Sequence, residues 1–389
     1  AVMKRVKAER DRFVGFVLDG VERMPASDKV RGYARFVDDH HLVVDDHTDI
    51  TFKSAVIATG STPTIPPLFA RLGDRVIVND DIFEWNELPR AVAVLGAGVI
   101  GLELGQALAR LGVTVHLFGR NGHLGPFRDP AIRDYAIKTF AREFNLNTDA
   151  KILNVERCGD VVTIRYAGSD GAQAEIEVDY VIAATGRAPN VKNIGIENTS
   201  VSLNERGIPF FDRDTMQLGS SNIFIAGDVS DDASVLHEAA DEGKIAGGNA
   251  ARFPNVQRGL RRAPFAVVFT DPQIASVGQR FSDLKPGGFV VGEVSFEGQG
   301  RSRVMLKNHG LLHVYADIET GRLLGAEMFG PDAEHIGHLL AWVLQLGLTV
   351  EQILALPFYH PGVEEGLRTA LRNAQTKRAA AIASASRAA

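Results

Sequence analysis

The spacing of apolar positions changes several times along this chain, and each change marks a different element. Residues 1–24 place Val, Phe and Leu at helical intervals among Lys, Arg, Asp and Glu, which predicts one long amphipathic helix. Between residues 30 and 60 the period shortens to two. RGYARFVDD, HLVVDD and DITFKSAVIATGSTP, separated by Asp and His clusters, predict a β-meander followed by an apolar strand. Pro63, Pro66 and Pro67 then break regular structure and mark a connection. AVAVLGAGVIGLELGQALARLGVTVHLFGR predicts a buried strand over 91–95, a Gly-rich turn, a helix ending at Arg110 and a second strand from Val113. Asp129-Pro130 supplies a cap and a first-turn proline for a helix reaching about residue 143. A second meander, KILNVER, VVTIRYA and AEIEVDY, leads into the apolar strand of DYVIAATGRAPN. SSNIFIAGDVS predicts a short strand, and LHEAADEGKIAGGNAA a helix. From residue 263 the pattern is α+β, with strands expected in AVVFT, GGFVVGEVSF, RVMLKN, GLLHVYADI and GRLLGAEMFG. Helices are expected in HIGHLLAWVLQLG, TVEQILAL and EEGLRTALRNA, and the Ala/Ser-rich tail after Lys377 is expected to be disordered.

One repeat organises these elements. SAVIATGSTP and DYVIAATGRAPN each run from an apolar strand into Ala-Thr-Gly, a polar step and a proline. The second closes a module of about 84 residues counted from Gly101 to Thr185, the size of one nucleotide-binding domain. If Thr59 closes an equivalent module, its glycine turn falls before Ala1. The expected fold is therefore α/β, with two Rossmann-like dinucleotide-binding domains, the first incomplete, and a C-terminal α+β domain. The expected boundaries are 1–90 for the first domain, 91–190 for the second, 191–262 for a return to the first, and 263–389 for the last.

Composition narrows the chemistry. No apolar run approaches the ~20 residues that span a bilayer, and a net charge of -6 without a basic run argues against nucleic-acid binding. Cys158 is the single cysteine, so no internal disulfide forms, which suits a reducing cytoplasm. His335 and His338 have helical spacing but no further ligands beside them, so no metal site is expected; His40, His41 and His47 read as loop residues.

The Gly-rich turn carries the clearest chemistry. In such a turn Gly96 makes the tight bend, Gly98 lets the backbone approach a pyrophosphate, and Gly101 lets helix and strand pack closely. The helix N-terminus then offers N–H donors to phosphate oxygens. The second strand ends in Phe118, Gly119 and Arg120, where NAD sites usually place an acid for the ribose hydroxyls. Arg120 suits a 2′-phosphate, so NADP stands beside NAD, and a solvated turn arginine reads equally well. Asp228 follows the strand of SSNIFIAGDVS, which stops at Gly227-Asp228, at the edge where open α/β sheets bind ligands; a ribityl or ribose hydroxyl, or a plain turn, would account for it.

VIATGSTP, GAGVIGLELG, AATGRAPN, IFIAGDV, PFAVVFTDPQIASVG and FYHPGVEEGLRTAL, in this order over residues 31–372, resemble the class I pyridine nucleotide-disulfide oxidoreductases. Within that family the HPGVEE segment is most similar to the dihydrolipoamide dehydrogenases. The resemblance implies FAD and NAD as cofactors, with Thr59, Gly60, Gly186 and Asp228 at cofactor sites, Asp228 on the ribityl chain, and Leu236 and His237 beside the isoalloxazine. It implies that Glu103 points at the nicotinamide. In the family this glutamate pairs with a lysine that this chain does not contain, so Glu103 is expected either to lack a partner or to be a surface residue. The resemblance also implies a homodimer in which His360, made more basic by Glu365, serves as thiol base toward the other subunit's disulfide. Pro361 is expected in a helical first turn, and Tyr359 along the thiol channel.

The expected activity is oxidation of dihydrolipoamide by NAD through FAD and a redox disulfide, the substrate being a small thiol or a lipoyl domain of a multienzyme complex. These 389 residues hold no CxxxxC pair, so the chain by itself is expected not to complete the thiol half-reaction. An NADPH-dependent disulfide reductase or a transhydrogenase-like flavoprotein is a second reading. A truncated, inactive dimerising or nucleotide-binding fragment is a third.

Overall fold

The computed structural model describes residues 1–388, which form two compact units. The first comprises Ala1–Thr64, Asp80–Glu87 and Gly186–Arg261; the second comprises Ile65–Asn79, Leu88–Thr185 and the chain from Arg262 onward.

In the first unit, Ala34–Phe36, His41–Val44 and Thr48–Thr51 form the expected antiparallel meander. The apolar strand that follows, Ala55–Ile57, leaves it and pairs in parallel with Ile223–Ile225, in the register Ala55↔Ile223 and Ile57↔Ile225. Early and late segments thus share one sheet, and helix Leu236–Arg252 packs on it. Phe36, Ile57, Ile223, Phe224, Val229 and Ala246 lie in the core beneath. The two Ala-Thr-Gly repeats meet as well, because Ser61–Pro63 pairs antiparallel with Arg187–Pro189. Helix Val2–Glu22 buries Met3 yet leaves Phe13 (61%), Phe16 (60%) and Val17 (69%) open to solvent.

The second unit contains a five-stranded parallel sheet in the order Val76–Ile77, Tyr180–Ala183, Ala91–Leu95, Thr114–Phe118 and Asn145–Asn147. Every residue of Ala91–Leu95 is buried, as expected of a strand covered on both faces. The antiparallel strands Lys151–Cys158, Val161–Ala167 and Gln173–Val178 share its core through Val155, Val162, Ile164 and Val178. A second five-stranded sheet, entirely antiparallel, runs in the order Phe265–Val268, Gln273–Gly278, Leu323–Gly330, Leu311–Asp317 and Phe289–Ser295, with helices Ala333–Gln345 and Glu365–Ala388 packed on it. No helix among the described residues is long and apolar enough to cross a membrane.

Four expectations change. Residues 65–79 belong with the second unit rather than with 1–64, because Val76–Ile77 hydrogen-bonds to Val181 and Ile182. RVMLKN is not a strand: the Gln299 side chain accepts the Ser302 N–H (2.7 Å) and caps a short helix, Gly300–Val304. The strand Gln273–Gly278, hidden behind Asp271-Pro272, completes the sheet instead. The tail after Lys377 is helical to Ala388. Lys377 Nζ donates to the Val291 carbonyl (2.9 Å) and Arg378 Nε to that of Ile318 (2.8 Å), while the alanines that follow have the highest helix propensity.

A buried polar junction within the second unit was not legible at all. Glu327, 1% exposed, accepts the backbone N–H groups of Arg128 (2.8 Å), Asp129 (3.0 Å) and Phe281 (3.0 Å). Asp129 Oδ2 in turn lies 2.6 Å from His313 Nδ1 and 3.1 Å from the Tyr315 hydroxyl that donates to it. Burial, with the Glu327 and Asp129 charges, pushes the Tyr315 hydroxyl far up. Burial would also raise Asp129, but the His313 contact together with the bonds from the Ala131 N–H and Tyr315 outweighs it and holds the carboxyl below its ordinary range.

Candidate functional site

The glycine turn has the geometry its chemistry requires. Gly96 sits at φ +106°, and a Cβ there would stand 2.3 Å from the Ala184 carbonyl oxygen; a Cβ on Gly101 would stand 1.9 Å from that of Gly96. Gly98 is different: it caps helix Val99–Arg110 and nothing lies within 4 Å of the place where its Cβ would be. Among the described residues no side chain caps the first N–H groups of this helix. Two glycines permit the turn, and the third leaves an open cradle beside unpaired donors, which fits a dinucleotide pyrophosphate.

The second strand, Thr114–Phe118, ends in Phe118 where an acid would be usual. Phe118 is buried and packs edge-on against Tyr166, with ring centroids 4.8 Å apart. The loop turns through Asn121 (φ +56°), whose N–H donates to Asp149 Oδ1 (2.9 Å), and Gly125 N–H returns to the Ala97 carbonyl (2.6 Å). The exposed Arg120 side chain forms no hydrogen bond or ion pair with a described residue.

Glu103 is neither unpartnered nor a plain surface residue. Its Oε1 accepts the Phe269 N–H at 2.8 Å, while Gln106 exchanges hydrogen bonds with the backbone of Asp271 (2.8 Å each way). One face of the nucleotide helix is thereby tied to the loop after Phe265–Val268. Pairing with a backbone group leaves no trace in sequence spacing.

In the first unit, Thr59-Gly60 and Gly227-Asp228 follow the carboxyl ends of two adjacent parallel strands. Gly60 (φ +69°) and Gly227 (φ +78°) both adopt backbone conformations that favour glycine. Asn190 fixes the first pair: Thr59 Oγ1 donates to its carbonyl (2.7 Å), and its own N–H donates to that of Gly60 (2.9 Å). Asp228 Oδ2 accepts from Ser61 Oγ (2.7 Å), itself a partner of Arg187 Nε (2.7 Å). Ser61 and Arg187 were not singled out from sequence, although both stand in the repeated Ala-Thr-Gly segments. Gly186 (φ +100°) is open on its Cβ side and accepts the Thr64 N–H (3.0 Å). Gly227 N–H donates to the fully buried Glu242 (2.8 Å), whose other oxygen accepts from Arg261 (3.1 Å); burial raises the Glu242 carboxyl. Leu236 and His237 are exposed at the start of helix Leu236–Arg252. A strand-end carboxylate near Gly60 and Gly186, both open on their Cβ side, suits a hydroxyl-rich cofactor chain such as that of FAD.

The C-terminal pair forms as expected. His360 Nδ1 lies 2.9 Å from Glu365 Oε2, which also accepts the Gly362 N–H (3.3 Å), and Arg368 donates to Oε1 (3.0 Å). His360 is 81% exposed at its side chain and Glu365 only 18%. Burial would raise the Glu365 carboxyl, but the bonds from His360 and Gly362 and the Arg368 charge hold it below the ordinary range. The last helix begins at Glu365, so Pro361 lies in the turn before it rather than in its first turn. Tyr359 is exposed (84%) beside the pair. His335 and His338 lie on helix Ala333–Gln345, where His338 meets the Phe265 ring at 4.7 Å. Cys158 is exposed at the end of its strand.

An open cradle at a helix N-terminus, a strand-end carboxylate and an oriented histidine agree with the family that the chain matches. The family description "Pyridine nucleotide-disulphide oxidoreductase" matches residues 17–243, and that of the family's dimerisation domain matches 264–371. The chain belongs to the class I pyridine nucleotide-disulfide oxidoreductases, a family of flavoproteins whose members bind FAD and NAD(P).

Within it, the chain is similar to the dihydrolipoyl dehydrogenase of Geobacillus stearothermophilus, 31% identical over 355 residues that span 89% of this chain and 74% of that protein. It is 30% identical to the mercuric reductase of Staphylococcus aureus over 346 residues, 88% of this chain but 62% of the relative's length. The HOCl-induced flavoprotein disulfide reductase RclA from Escherichia coli shares the fold, with a TM-score of 0.80 and 22% identity over 96% of this chain and 85% of that one.

Proposed function

We propose that the chain is the nucleotide-binding and thiol-activating part of a homodimeric flavoprotein that oxidises a dithiol, dihydrolipoamide being the substrate that the similarity favours. The observation that carries the reading is the His360–Glu365 pair. With Nδ1 held by a carboxylate, the exposed Nε2 is left to take a proton from a thiol. Glu365 keeps the ring in one orientation and stabilises the charge it gains. Gly96, Gly98 and Gly101 admit the pyrophosphate, and the N-terminus of helix Val99–Arg110 donates to it. Asp228, steadied by Ser61, accepts from a ribityl hydroxyl. When bound, the flavin and the nicotinamide supply the electron and hydride transfer that no side chain provides. Leu339, Trp342 and Leu346, exposed on and just beyond helix Ala333–Gln345, supply apolar surface for the homodimer.

Cys158 is the single cysteine of these 389 residues, so the redox disulfide is not among them and the chain by itself does not complete the thiol half-reaction. One observation favours a second reading, an NADPH-dependent disulfide reductase: Phe118 stands where an acid would bind ribose hydroxyls, and Arg120 is free to meet a 2′-phosphate. The test is to assay the protein translated from its complete reading frame, loaded with FAD, for dihydrolipoamide-dependent reduction of NAD and NADP. Separately, NADPH oxidation is followed with disulfides. Dithiol-dependent reduction is expected; its absence alongside NADPH-dependent disulfide reduction would replace the first reading with the second.

A further inference from the structure

We propose that the pocket beside His360 binds an anionic group, a carboxylate, carried by the thiol or disulfide substrate, with Arg301 as the residue that recognises it. This rests on the reading of His360–Glu365 as the thiol base and departs from neutral dihydrolipoamide as its substrate: the dithiol or disulfide would end in a carboxylate. A cavity of about 420 Å³ opens against the pair, lined by Gln299, Arg301, His360, Glu365, Arg368 and Thr369 among others.

Its charges do not balance. Glu365 is the one carboxylate in the lining, and both its oxygens are engaged: Oε2 by His360 and the Gly362 N–H, Oε1 by Arg368. Arg368 is therefore committed to Glu365. The Arg301 side chain forms no hydrogen bond or ion pair with a described residue, and it is exposed. Within this cavity Arg301 thus has no uncommitted carboxylate to meet, although it also lines a neighbouring cavity that holds Asp332 and Glu364.

Arg301 is also held in register with the histidine. The Gln299 side chain accepts the Ser302 N–H through Oε1 (2.7 Å) and donates through Nε2 to the Gly362 carbonyl (2.7 Å). One amide therefore couples the short helix carrying Arg301 to the turn carrying His360. A planar donor fork lining the same cavity as a thiol base selects a carboxylate over a neutral amide, because only the carboxylate accepts two parallel charge-assisted bonds.

The experiment compares lipoate, an oxidised dithiol ending in a carboxylate, with lipoamide, its neutral amide. Each is titrated into the 389-residue chain by calorimetry, so no redox turnover is needed. Lipoate is expected to bind about tenfold more tightly than lipoamide. Arg301→Gln should remove that preference and leave lipoamide binding unchanged, while Arg303→Gln, on the same helix but outside the pocket, should keep it. Circular dichroism establishes that both variants fold. Equal binding of acid and amide, no binding of either, or equal weakening of both by Arg301→Gln overturns the proposal. His360→Gln separates it from the base reading. A lipoate preference that survives this change supports the anion pocket irrespective of whether His360 acts as the base, which the pH dependence of turnover reports independently.

Discussion

His360 Nδ1 and Glu365 Oε2 are 2.9 Å apart, and the same carboxylate oxygen accepts the N–H of Gly362 from the turn between them. The imidazole is fixed by a group that is itself fixed, which leaves Nε2 as its free nitrogen. Glu365→Gln keeps the size and removes the charge. We expect the thiol-dependent rate of the complete protein to fall about 10²-fold, with nicotinamide oxidation by an artificial acceptor unchanged. The carboxyl of Glu365 is held below its ordinary range, so it stays charged through that range and is neutralised only as pH falls through its lower value.

The three turn glycines should separate folding from binding. Gly101→Ala places a Cβ 1.9 Å from the Gly96 carbonyl oxygen and should unfold the turn, lowering Tm together with nucleotide affinity. Gly98→Ala meets nothing within 4 Å at a φ of -80° that alanine adopts freely. Its Tm should match the native chain while the Kd for NAD(P)H rises about tenfold or more, since the added methyl fills the pyrophosphate's approach. Thermal melts paired with fluorescence titrations check both.

Arg120 should decide between the two nicotinamide cofactors. If it meets the 2′-phosphate, Arg120→Gln weakens NADPH binding about tenfold and leaves NADH binding unchanged, as expected for loss of one charge-assisted contact. Equal effects on both would return Arg120 to the solvated turn.

Much of the fold was readable because it depends on local signals. The strand–glycine–helix unit at 91–110 carries its period and turn chemistry within twenty residues, and the two Ala-Thr-Gly repeats announced segments that do pair, Ser61–Pro63 with Arg187–Pro189. His360 and Glu365 lie close enough in sequence for spacing to suggest their meeting. What failed depends on distant partners. Lys377 and Arg378 anchor a tail whose composition alone suggested disorder, Phe269 offers a backbone N–H that spacing cannot link to Glu103, and Glu327 accepts the N–H groups of Arg128 and Asp129 from about 200 residues away in sequence. Gln299, which aligns Arg301 with His360, acts through two backbone groups and has no motif of its own.

The Asp129 junction makes a stability prediction. Its carboxyl is held below the ordinary range, so its contribution is present above the unfolded value near pH 3.9 and disappears as pH falls through the lower folded value. Asp129→Asn should destabilise the second unit by ~2–4 kcal/mol near neutral pH, because His313 loses its charged partner inside a buried cluster. Denaturant melts from pH 3 to 8 should show the native and variant curves converging at the acid end.

The pH dependence of dithiol-driven NAD(P) reduction, compared between the complete flavin-loaded protein and its His360→Gln variant, bears most directly on the account. A loss of about 10²–10⁴-fold in the variant, without the native rise in rate as the base loses its proton, and with the nicotinamide half-reaction intact, is the predicted result. A variant that matches the native rate across the same pH range would contradict the assignment of His360 as thiol base.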